Sequence, residues 1–339
     1  MSVHEMSNIL IESIEISEFR GIRKLKSPLN LTSFNVLIGR NNVGKSAVLE
    51  ALYFLTRPHL ETVYPYWKNI FSFIAGLHGG SSSLIYGYAG EAVLKYSLRH
   101  KSSVRRVRIV INRNGLKSLT IDEVEADPSK YVKFLNSLGL SVDTNILALY
   151  IPNNSSAYSV ISRFMLKDEV WSYIEKRGLH SKVVKELLAP ALYDRFTEVT
   201  IKKNKLCIRK EVSETIGPLY IDVNSLGEGV KRCILAYLAI EYLNPRVVLW
   251  DDIEVAVHPS LLETMLKWLA NSGRQVVLTT HSIDVLHTLT RIQPKDLKVI
   301  VLKKSREDVV QHQSLTLDEV EDLFESGIDL RKIIEELKL

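Results

Sequence analysis

Residues 34–55 read FNVLIGRNNVGKSAVLEALYFL. The first five, Phe34 to Ile38, form a short apolar run that is typical of a buried strand. Residues 39–46 match the pattern GxxxxGKS, and Ser46 to Leu55 carry the spacing of a helix. A strand, a glycine-containing loop and a helix in this order predict a loop whose backbone N–H groups, together with the start of the helix, bind phosphate groups.

The residues of this phosphate loop (39–46) have separate expected roles. The glycines allow the backbone to wrap a β-phosphate, and Lys45 can reach the β- and γ-phosphate oxygens. Ser46 can offer its hydroxyl to Mg²⁺. The sequence therefore predicts ATP and Mg²⁺ as cofactors. The loop residues expected to bind them are Gly39, Arg40, Asn41, Asn42, Val43, Gly44, Lys45, Ser46 and Ala47.

A second apolar run ends in two acids at residues 247–252, VVLWDD. Ligands of open α/β sheets bind beyond the carboxyl ends of the strands, where these acids would lie. This arrangement is typical of a Walker B element, so Asp251 is expected to hold Mg²⁺. Asp252 is expected to orient or deprotonate the attacking water. Alone, the pattern also fits a strand followed by an acidic turn.

A third apolar run, residues 276–282 with the sequence VVLTTHS, also ends in polar groups. One helix-and-strand unit separates it from Asp251, so parallel order would bring the two strand ends together. His281 is therefore expected to contact a γ-phosphate. The alternative is a structural histidine.

Residues 224–232, NSLGEGVKR, form a glycine-containing turn that runs directly into a helix. Such a helix start can bind an anion. A single chain cannot easily use two helix starts on one phosphate group, but a head-to-tail dimer can. Ser225, Gly227 and Gly229 are thus expected to cover the partner's γ-phosphate. A capped surface helix is the simpler alternative.

The remaining patterns predict one discontinuous α/β domain over residues 1–339. An N-terminal antiparallel β lobe (1–124) holds the phosphate loop, a mainly helical insertion follows (125–200), and a parallel α/β lobe (201–339) holds the other motifs. The strands expected in the first lobe are Ile9–Phe19, Ser83–Tyr88, Ala92–Leu98, Val104–Asn112 and Leu116–Val124. Residues 315–339 have the pattern of one or two amphipathic helices.

Composition and charge limit the classes of function that this chain could have. The net charge is +5, and eight Lys or Arg residues lie between Lys95 and Lys117 without an intervening acid. This basic run is either a nucleic-acid surface or the solvated face of two strands. No apolar run is long enough to span a membrane, and residues 1–7 lack the pattern of a signal peptide. We expect a cytoplasmic protein with no membrane partner, in which Cys207 and Cys233 are reduced and buried.

Taken together, the motif order resembles the ABC-type ATPase heads of the SMC and RecF kind. It looks closest to the stand-alone ATPases related to the overcoming-lysogenization-defect (OLD) family. The carrying stretches are GRNNVGKS at 39–46, SLGEGVKR at 225–232, VVLWDDIEVAVHP at 247–259 and LTTHS at 278–282. The segment EFRGI at 18–22 resembles the first-strand motif of that group, which adds Arg20 to the expected nucleotide-binding residues.

The resemblance implies an ATP-sandwiched homodimer with Mg²⁺ and slow ATP hydrolysis, in which Lys45, Asp252 and His281 are catalytic. Coupling to nucleic acid or to an effector protein, in DNA maintenance or defence, is implied as well. The alternative is a non-catalytic ATP-dependent clamp. A small GTPase is disfavoured because the guanine-recognition pattern Asn-Lys-x-Asp is absent.

The sequence departs from the group's pattern at three points. The residue after the Walker B aspartate is usually Glu but here is Asp252. No Gln occurs between Ser46 and Ser225, so Asn153 or Asn154 is the candidate substitute for the usual glutamine. The signature stretch lacks the usual pair of adjacent glycines, which leaves its register open by one residue.

Overall fold

A computed structural model describes residues 9–59, 62–140, 146–213 and 215–327. The expectations for residues 1–7 and for the end of the C-terminal tail lie outside these ranges. The strands, in chain order, are β1 Ile9–Phe19, β2 Ile22–Leu25, β3 Leu29–Asn30, β4 Phe34–Gly39, β5 Glu91–His100, β6 Ser103–Asn112, β7 Gly115–Ile121, β8 Val124–Glu125, β9 Ala148–Ile151, β10 Phe196–Lys202, β11 Lys205–Lys210, β12 Leu219–Asp222, β13 Val247–Trp250, β14 Gln275–Thr279, β15 Leu297–Lys304 and β16 Val309–Leu315.

The α-helices surround this framework of strands. They are α1 Lys45–Phe54, α2 Ile70–Leu77, α3 Pro128–Ser137, α4 Ser155–Met165, α5 Asp168–Lys176, α6 Leu179–Val183, α7 Glu228–Leu243, α8 Pro259–Ala270, α9 Ile283–Ile292 and α10 Leu317–Glu325. A capping box at Thr316 and Glu319 starts α10, which confirms the helical pattern in the described part of the tail.

One large sheet carries both lobes, in the order β8-β7-β6-β5-β1-β2-β16-β15-β4-β14-β13-β9. Strands β15, β4, β14, β13 and β9 are parallel, whereas β1, β5, β6, β7 and β8 pair antiparallel. A separate antiparallel sheet consists of β10, β11 and β12. The expected fold class, a mixed α/β sheet with an antiparallel lobe and a mainly parallel lobe, is confirmed.

The core lies between the parallel strands and helices α1 and α7. All six residues of β4 are buried, as expected for a parallel strand covered on both faces. Nine residues of α1 are buried, and the helix packs against β1, β9 and β13. The phosphate loop therefore connects two of the most deeply buried elements of the molecule.

Two local predictions differ from the structure. The strand expected at Ser83–Tyr88 is instead a pair of 3-10 turns, because Gly87 adopts a left-handed conformation (φ 64°) and the Ser83 hydroxyl donates to the Gly80 carbonyl at 2.6 Å. The segment expected to be helical, 125–200, holds α3 to α6 but also β9, which lies at the edge of the large sheet beside β13.

Two smaller features agree with expectation. Cys207 and Cys233 are both free and buried. Within the described ranges, every helix is too short or too polar to cross a membrane.

Candidate functional site

The two glycines of the phosphate loop are required by its geometry. Gly39, at the end of β4, has φ 153°, and a Cβ there would lie 2.7 Å from the Leu302 carbonyl oxygen. Gly44 has φ 108°, and its Cβ would lie 2.9 Å from Ile22 Cδ1. Both conformations and both close approaches exclude a side chain. The backbone can consequently curl tightly before α1 begins at Lys45.

Lys45 is buried at the mouth of this loop. Its ammonium donates to the carbonyls of Gly39 at 3.0 Å and Arg40 at 3.3 Å. Burial lowers the pKa of Lys45, while the carboxylates of Asp252, Asp251 and Glu254 oppose that shift. The site thus holds a cation over a loop whose N–H groups form a cradle for an anion.

Asp251 lies directly across from the start of α1. Its Oδ1 accepts hydrogen bonds from the hydroxyls of Ser46 at 3.1 Å and Thr279 at 2.6 Å. Burial raises the pKa of Asp251 to about 6, and the neighbouring Asp252 carboxylate adds to this effect. A buried carboxylate beside a second acid is an environment that a bound cation would stabilise.

The next residue, Asp252, has a left-handed backbone (φ 47°), a conformation that Asp and Asn adopt more readily than most residues. Its N–H donates to Thr279 Oγ1 at 2.7 Å, and its Oδ2 accepts from Asn153 Nδ2 at 3.2 Å. Oδ1 lies 3.8 Å from His281 Nε2. The left-handed turn after β13 therefore aims this carboxylate at the loop that follows β14.

That loop carries His281, whose side chain is 42% exposed. Its backbone N–H donates to Glu254 Oε1 at 2.8 Å. Glu254 lies past the end of β13, and its side chain thereby holds the loop of His281 in place. His258, which follows in the same stretch, instead caps α8 by accepting from the N–H of Ser260.

Both halves of the site border one cavity of about 250 Å³. Its lining residues are Arg20, Gly21, Asn41, Asn42, Gly44, Lys45, Ser46, Ala47, Asp252 and His281. A neighbouring cavity of about 480 Å³ shares Asn41 and His281 with it and extends along Ile38, Gly39, Arg40, Thr280, Ser282 and Leu286. Val43 is buried beneath the loop. The loop residues and strand-end residues expected from sequence are thus brought together.

The donor set fits a nucleotide-bound Mg²⁺ better than an all-protein metal site. In the described ranges, no group of three or more His, Cys, Asp or Glu side chains could hold a metal ion by itself. The protein offers the Ser46 hydroxyl and the Asp251 carboxylate, already 3.1 Å apart. Mg²⁺ is usually held in this way, by one or two protein oxygens together with substrate phosphates and water.

Sequence comparison matches two segments of the chain to ATPase domains. Residues 178–286 match the family described as "AAA domain, putative AbiEii toxin, Type IV TA system", and residues 10–75 match "AAA ATPase domain". A protein of Methanosarcina mazei described as "Putative ABC transporter ATP-binding protein" is 29% identical over 140 residues, which is 39% of this chain and 49% of that protein. An uncharacterized protein of Methanocaldococcus jannaschii is 54% identical over 43 residues, 13% of this chain and 19% of its own length. The chain therefore matches less than two thirds of either relative.

Structural comparison covers nearly the whole chain. An Smc head bound to the C-winged helix domain of ScpA superposes with a TM-score of 0.65 at 14% identity, covering 91% of this chain and 98% of that one. The Smc head domain with an extended coiled coil from Pyrococcus furiosus gives 0.61 at 14% identity, with coverage of 94% and 99%. The fold is that of an SMC ATPase head. Together with the matched ATPase domains, it supports an ABC-type ATPase.

Four residues of the head form a network that the sequence patterns did not reveal as a group. Glu50 of α1 is buried, forms an ion pair with Arg20 at 2.6 Å, and lies within hydrogen-bond distance of His78 Nε2 at 2.7 Å. The Tyr150 hydroxyl lies 3.4 Å from both Glu50 Oε1 and Asp251 Oδ2. Arg20, expected to bind nucleotide, is thus held at the rim of the cavity by Glu50. In the sequence, only the first-strand motif EFRGI (18–22) indicated that Arg20 belongs to the site.

The signature turn (225–229) of the head faces outward. Val223–Ser225 form a 3-10 turn, Gly227 is the N-cap of α7, and both Ser225 and Gly227 are exposed. Neither lines the cavities described above. Gly229 is buried, and a Cβ there would collide with the Ala256 carbonyl oxygen, so this glycine allows α7 to pack against the loop after β13.

The basic run of the head is partly neutralised in space. Lys95, Arg99, Arg105 and Lys117 pair with Glu15, Glu12, Asp122 and Glu91, which come from neighbouring strands and turns. Arg106 and Arg108 are exposed on β6 and form no ion pair with any described residue. They line a groove of about 260 Å³ whose other charged lining residues are Lys95, Glu15 and Glu123.

Proposed function

We propose that this head binds ATP with Mg²⁺ and hydrolyses it slowly, and that it dimerises around ATP as a molecular switch. The observation that carries the proposal is the convergence of Ser46, Asp252 and His281 on one cavity, with Asp251 hydrogen-bonded to Ser46 beside it. These residues come from α1, which follows β4, and from the ends of β13 and β14. Strands β4, β14 and β13 are neighbours in the sheet, although β4 is far from the other two in sequence. Measurement of phosphate release by the wild-type chain tests the catalytic part directly.

Each side chain has a definable task in this reaction. Lys45 and the loop N–H groups bind the β- and γ-phosphates, and Ser46 and Asp251 hold the cation. A bound Mg²⁺ would supply positive charge that offsets the negative charge of the phosphates. Asp252 orients water and accepts its proton, while His281, beside Asp252, contacts the γ-phosphate.

The dimer proposal rests on the exposure of the signature turn. Ser225 and Gly227 precede α7, so their side of the helix offers free N–H groups and partial positive charge to an anion. Because this end does not border the chain's own cavity, its partner would be the γ-phosphate held by a second copy. The same surface fits a head-to-tail homodimer.

Ser225→Arg is expected to abolish ATP-induced dimerisation, because a long side chain would fill the space of the partner's γ-phosphate. Light scattering should give a dimer mass for the wild type with ATP and Mg²⁺, and a monomer mass with ADP. The variant should stay monomeric in both while binding ATP normally. Ser103→Arg, at the exposed tip between β5 and β6, is the matched control and should still dimerise. An identical wild-type mass in ATP and ADP would contradict the proposal.

A second proposal, weak nucleic-acid binding, is favoured by the groove that contains Arg106 and Arg108. The double reversal Arg106→Glu and Arg108→Glu is expected to remove this binding at low salt. The single changes to Gln should lower the slope of log K against log salt concentration by roughly one each, since each phosphate contact releases about one counterion. Titrations of fluorescent single- and double-stranded DNA provide the measurement.

The paired lysine Lys117 supplies the control for this experiment. Lys117→Gln removes a cation of the same basic run that already has Glu91 as its partner, so the salt slope should stay unchanged. Absence of binding by the wild type at low salt would leave the basic run as a solvated face of the sheet.

Because the four motifs occur in the order found in the OLD-related ATPases, we propose that the switch acts in DNA maintenance or defence. An effector protein is the partner we favour for its output, because the similar Smc head is bound by the C-winged helix domain of ScpA. The alternative is an ATP-dependent clamp without turnover. ATP-driven dimerisation with no phosphate release would select that alternative.

A further inference from the structure

A chain of polar contacts joins the signature helix α7 to the acid after β13. Arg232 of α7 is 8% exposed, and its Nη1 donates to Asn153 Oδ1 at 3.0 Å. The other end of the same amide donates from Nδ2 to Asp252 Oδ2 at 3.2 Å. Asn153 thus lies between a cation and the carboxylate proposed to activate water.

The position of Asn153 follows from β9. This strand pairs in parallel register with β13, so that Ile151 lies opposite Trp250. Two residues further on, Asn153 reaches the level of Asp252. The neighbouring Asn154 turns away and caps α4 by accepting from the N–H groups of Ser156 at 2.9 Å and Ala157 at 3.3 Å. Of the two asparagines considered from the sequence, only Asn153 contacts the candidate site.

Arg232 is itself held from two sides. Its Nε donates to Glu228 Oε1 at 3.1 Å, and its guanidinium lies 5.0 Å from the centre of the Tyr158 ring on α4. A guanidinium can only donate hydrogen bonds, so it fixes the carbonyl end of the Asn153 amide toward itself. The NH₂ end must then point at Asp252. An amide is the group that satisfies both neighbours in this arrangement.

We infer that Arg232, Asn153 and Asp252 form a relay through which the position of helix α7 sets the orientation of the Asp252 carboxylate. Asn153 is the positioning residue of this relay. The inference rests on the proposed hydrolysis and goes beyond it, because it assigns a route by which contact at the signature turn controls the water-activating acid. Arg232 lies about one and a half turns along α7 from Gly227, so a shift of the helix start moves its guanidinium directly.

The relay has a defined consequence for catalysis. Asn153 touches neither the phosphate loop nor Lys45, so its loss should leave ATP binding unchanged. Without the amide, the Asp252 carboxylate loses one of its hydrogen-bond donors and can rotate. Misplacement of a catalytic group by about 1 Å can cost roughly a hundredfold in rate.

Asn153→Ala is therefore expected to lower kcat for ATP hydrolysis roughly 10- to 100-fold, with KM and ATP affinity within about twofold of the wild type. Arg232→Lys should act in the same direction, because lysine keeps the charge but not the fixed donor geometry of arginine. Asn154→Ala is the matched control: it removes the α4 cap and should lower the melting temperature while kcat stays unchanged.

Non-additivity separates a relay from two unrelated structural roles. The double variant Asn153→Ala with Arg232→Lys should be no slower than the slower single variant, because both changes break one chain of contacts. If the fold-decreases in kcat of the two single variants multiply in the double variant, the relay is wrong. A wild-type kcat in Asn153→Ala would overturn it as well. If Asn153→Ala does not fold, a wild-type kcat in Arg232→Lys has the same meaning. A wild type that binds ATP without turnover would refute the proposed hydrolysis itself, which is a distinguishable result.

Discussion

Asp252→Asn is expected to stop ATP turnover while leaving ATP binding intact. General-base assistance is typically worth about 10²- to 10⁴-fold in rate, and an amide cannot accept the proton of water. Asn tolerates the left-handed backbone at this position as well as Asp does, so the fold should be unaffected. Phosphate release should fall by that factor, and light scattering should show a long-lived dimer with ATP.

Asp252→Glu makes the test sharper. Glu is the residue found at this position in the group that the sequence resembles, but it fits a left-handed backbone less well than Asp. Its longer side chain would also displace the amide of Asn153, 3.2 Å away. We therefore expect a lower rate rather than a higher one. Turnover at the wild-type rate in Asp252→Asn would move the role of base to Glu254, the next acid along the loop.

Lys45→Ala is expected to weaken ATP binding by about thirtyfold or more, since loss of one partner of a charged hydrogen bond at a buried site commonly costs about 2–5 kcal/mol of binding free energy. The lysine is held by the carbonyls of Gly39 and Arg40, so its ammonium already lies over the cradle. Isothermal titration with ATP and Mg²⁺ provides the measurement.

Lys267→Ala is a suitable control for this change. Lys267 lies on α8 and pairs with Glu263 on the surface, and its removal should not alter ATP affinity. Unchanged affinity in Lys45→Ala, with Lys267→Ala as the reference, would contradict the assignment of residues 39–46 as a phosphate loop.

The residues of the site that could be predicted from sequence are those whose chemical type occurs next to a recognisable strand, loop or helix pattern. The phosphate loop joins β4 to α1, and Asp251 and His281 follow buried strands, so each pattern carried its own structural context. The mixed α/β fold followed from the same alternation of strands and helices.

The parts that could not be predicted depend on contacts between distant segments. Strand β9 has four residues, too few for periodicity to distinguish a strand from a helix. Without β9, the sequence could not decide between Asn153 and Asn154. Glu50 and Tyr150 likewise have no pattern of their own, and their contacts with Arg20 and Asp251 exist only because α1 packs against β9 and β13.

The acids paired with the basic run illustrate the same point. Within residues 95–117 no acid interrupts the cations, yet Glu15 of β1 lies opposite Lys95 of β5, and Glu12, at the register shift of β1, forms an ion pair with Arg99. Charge counted along the chain therefore overstated the charge of the surface, because the neighbours across the sheet were unknown.

The order of strands also governs when the phosphate loop can take its position during synthesis of the chain. The strand that leads into the phosphate loop, β4, has β14 and β15 as its two neighbours, and both belong to the C-terminal part of the chain. On the ribosome, the loop is translated early, but β4 has no neighbouring strands until β15, which includes Leu302, has left the exit tunnel. Pairing between such distant segments is slow to form. A nascent chain therefore lacks the two strands that flank β4, and with them the sheet that positions the phosphate loop, until β15 has been synthesised.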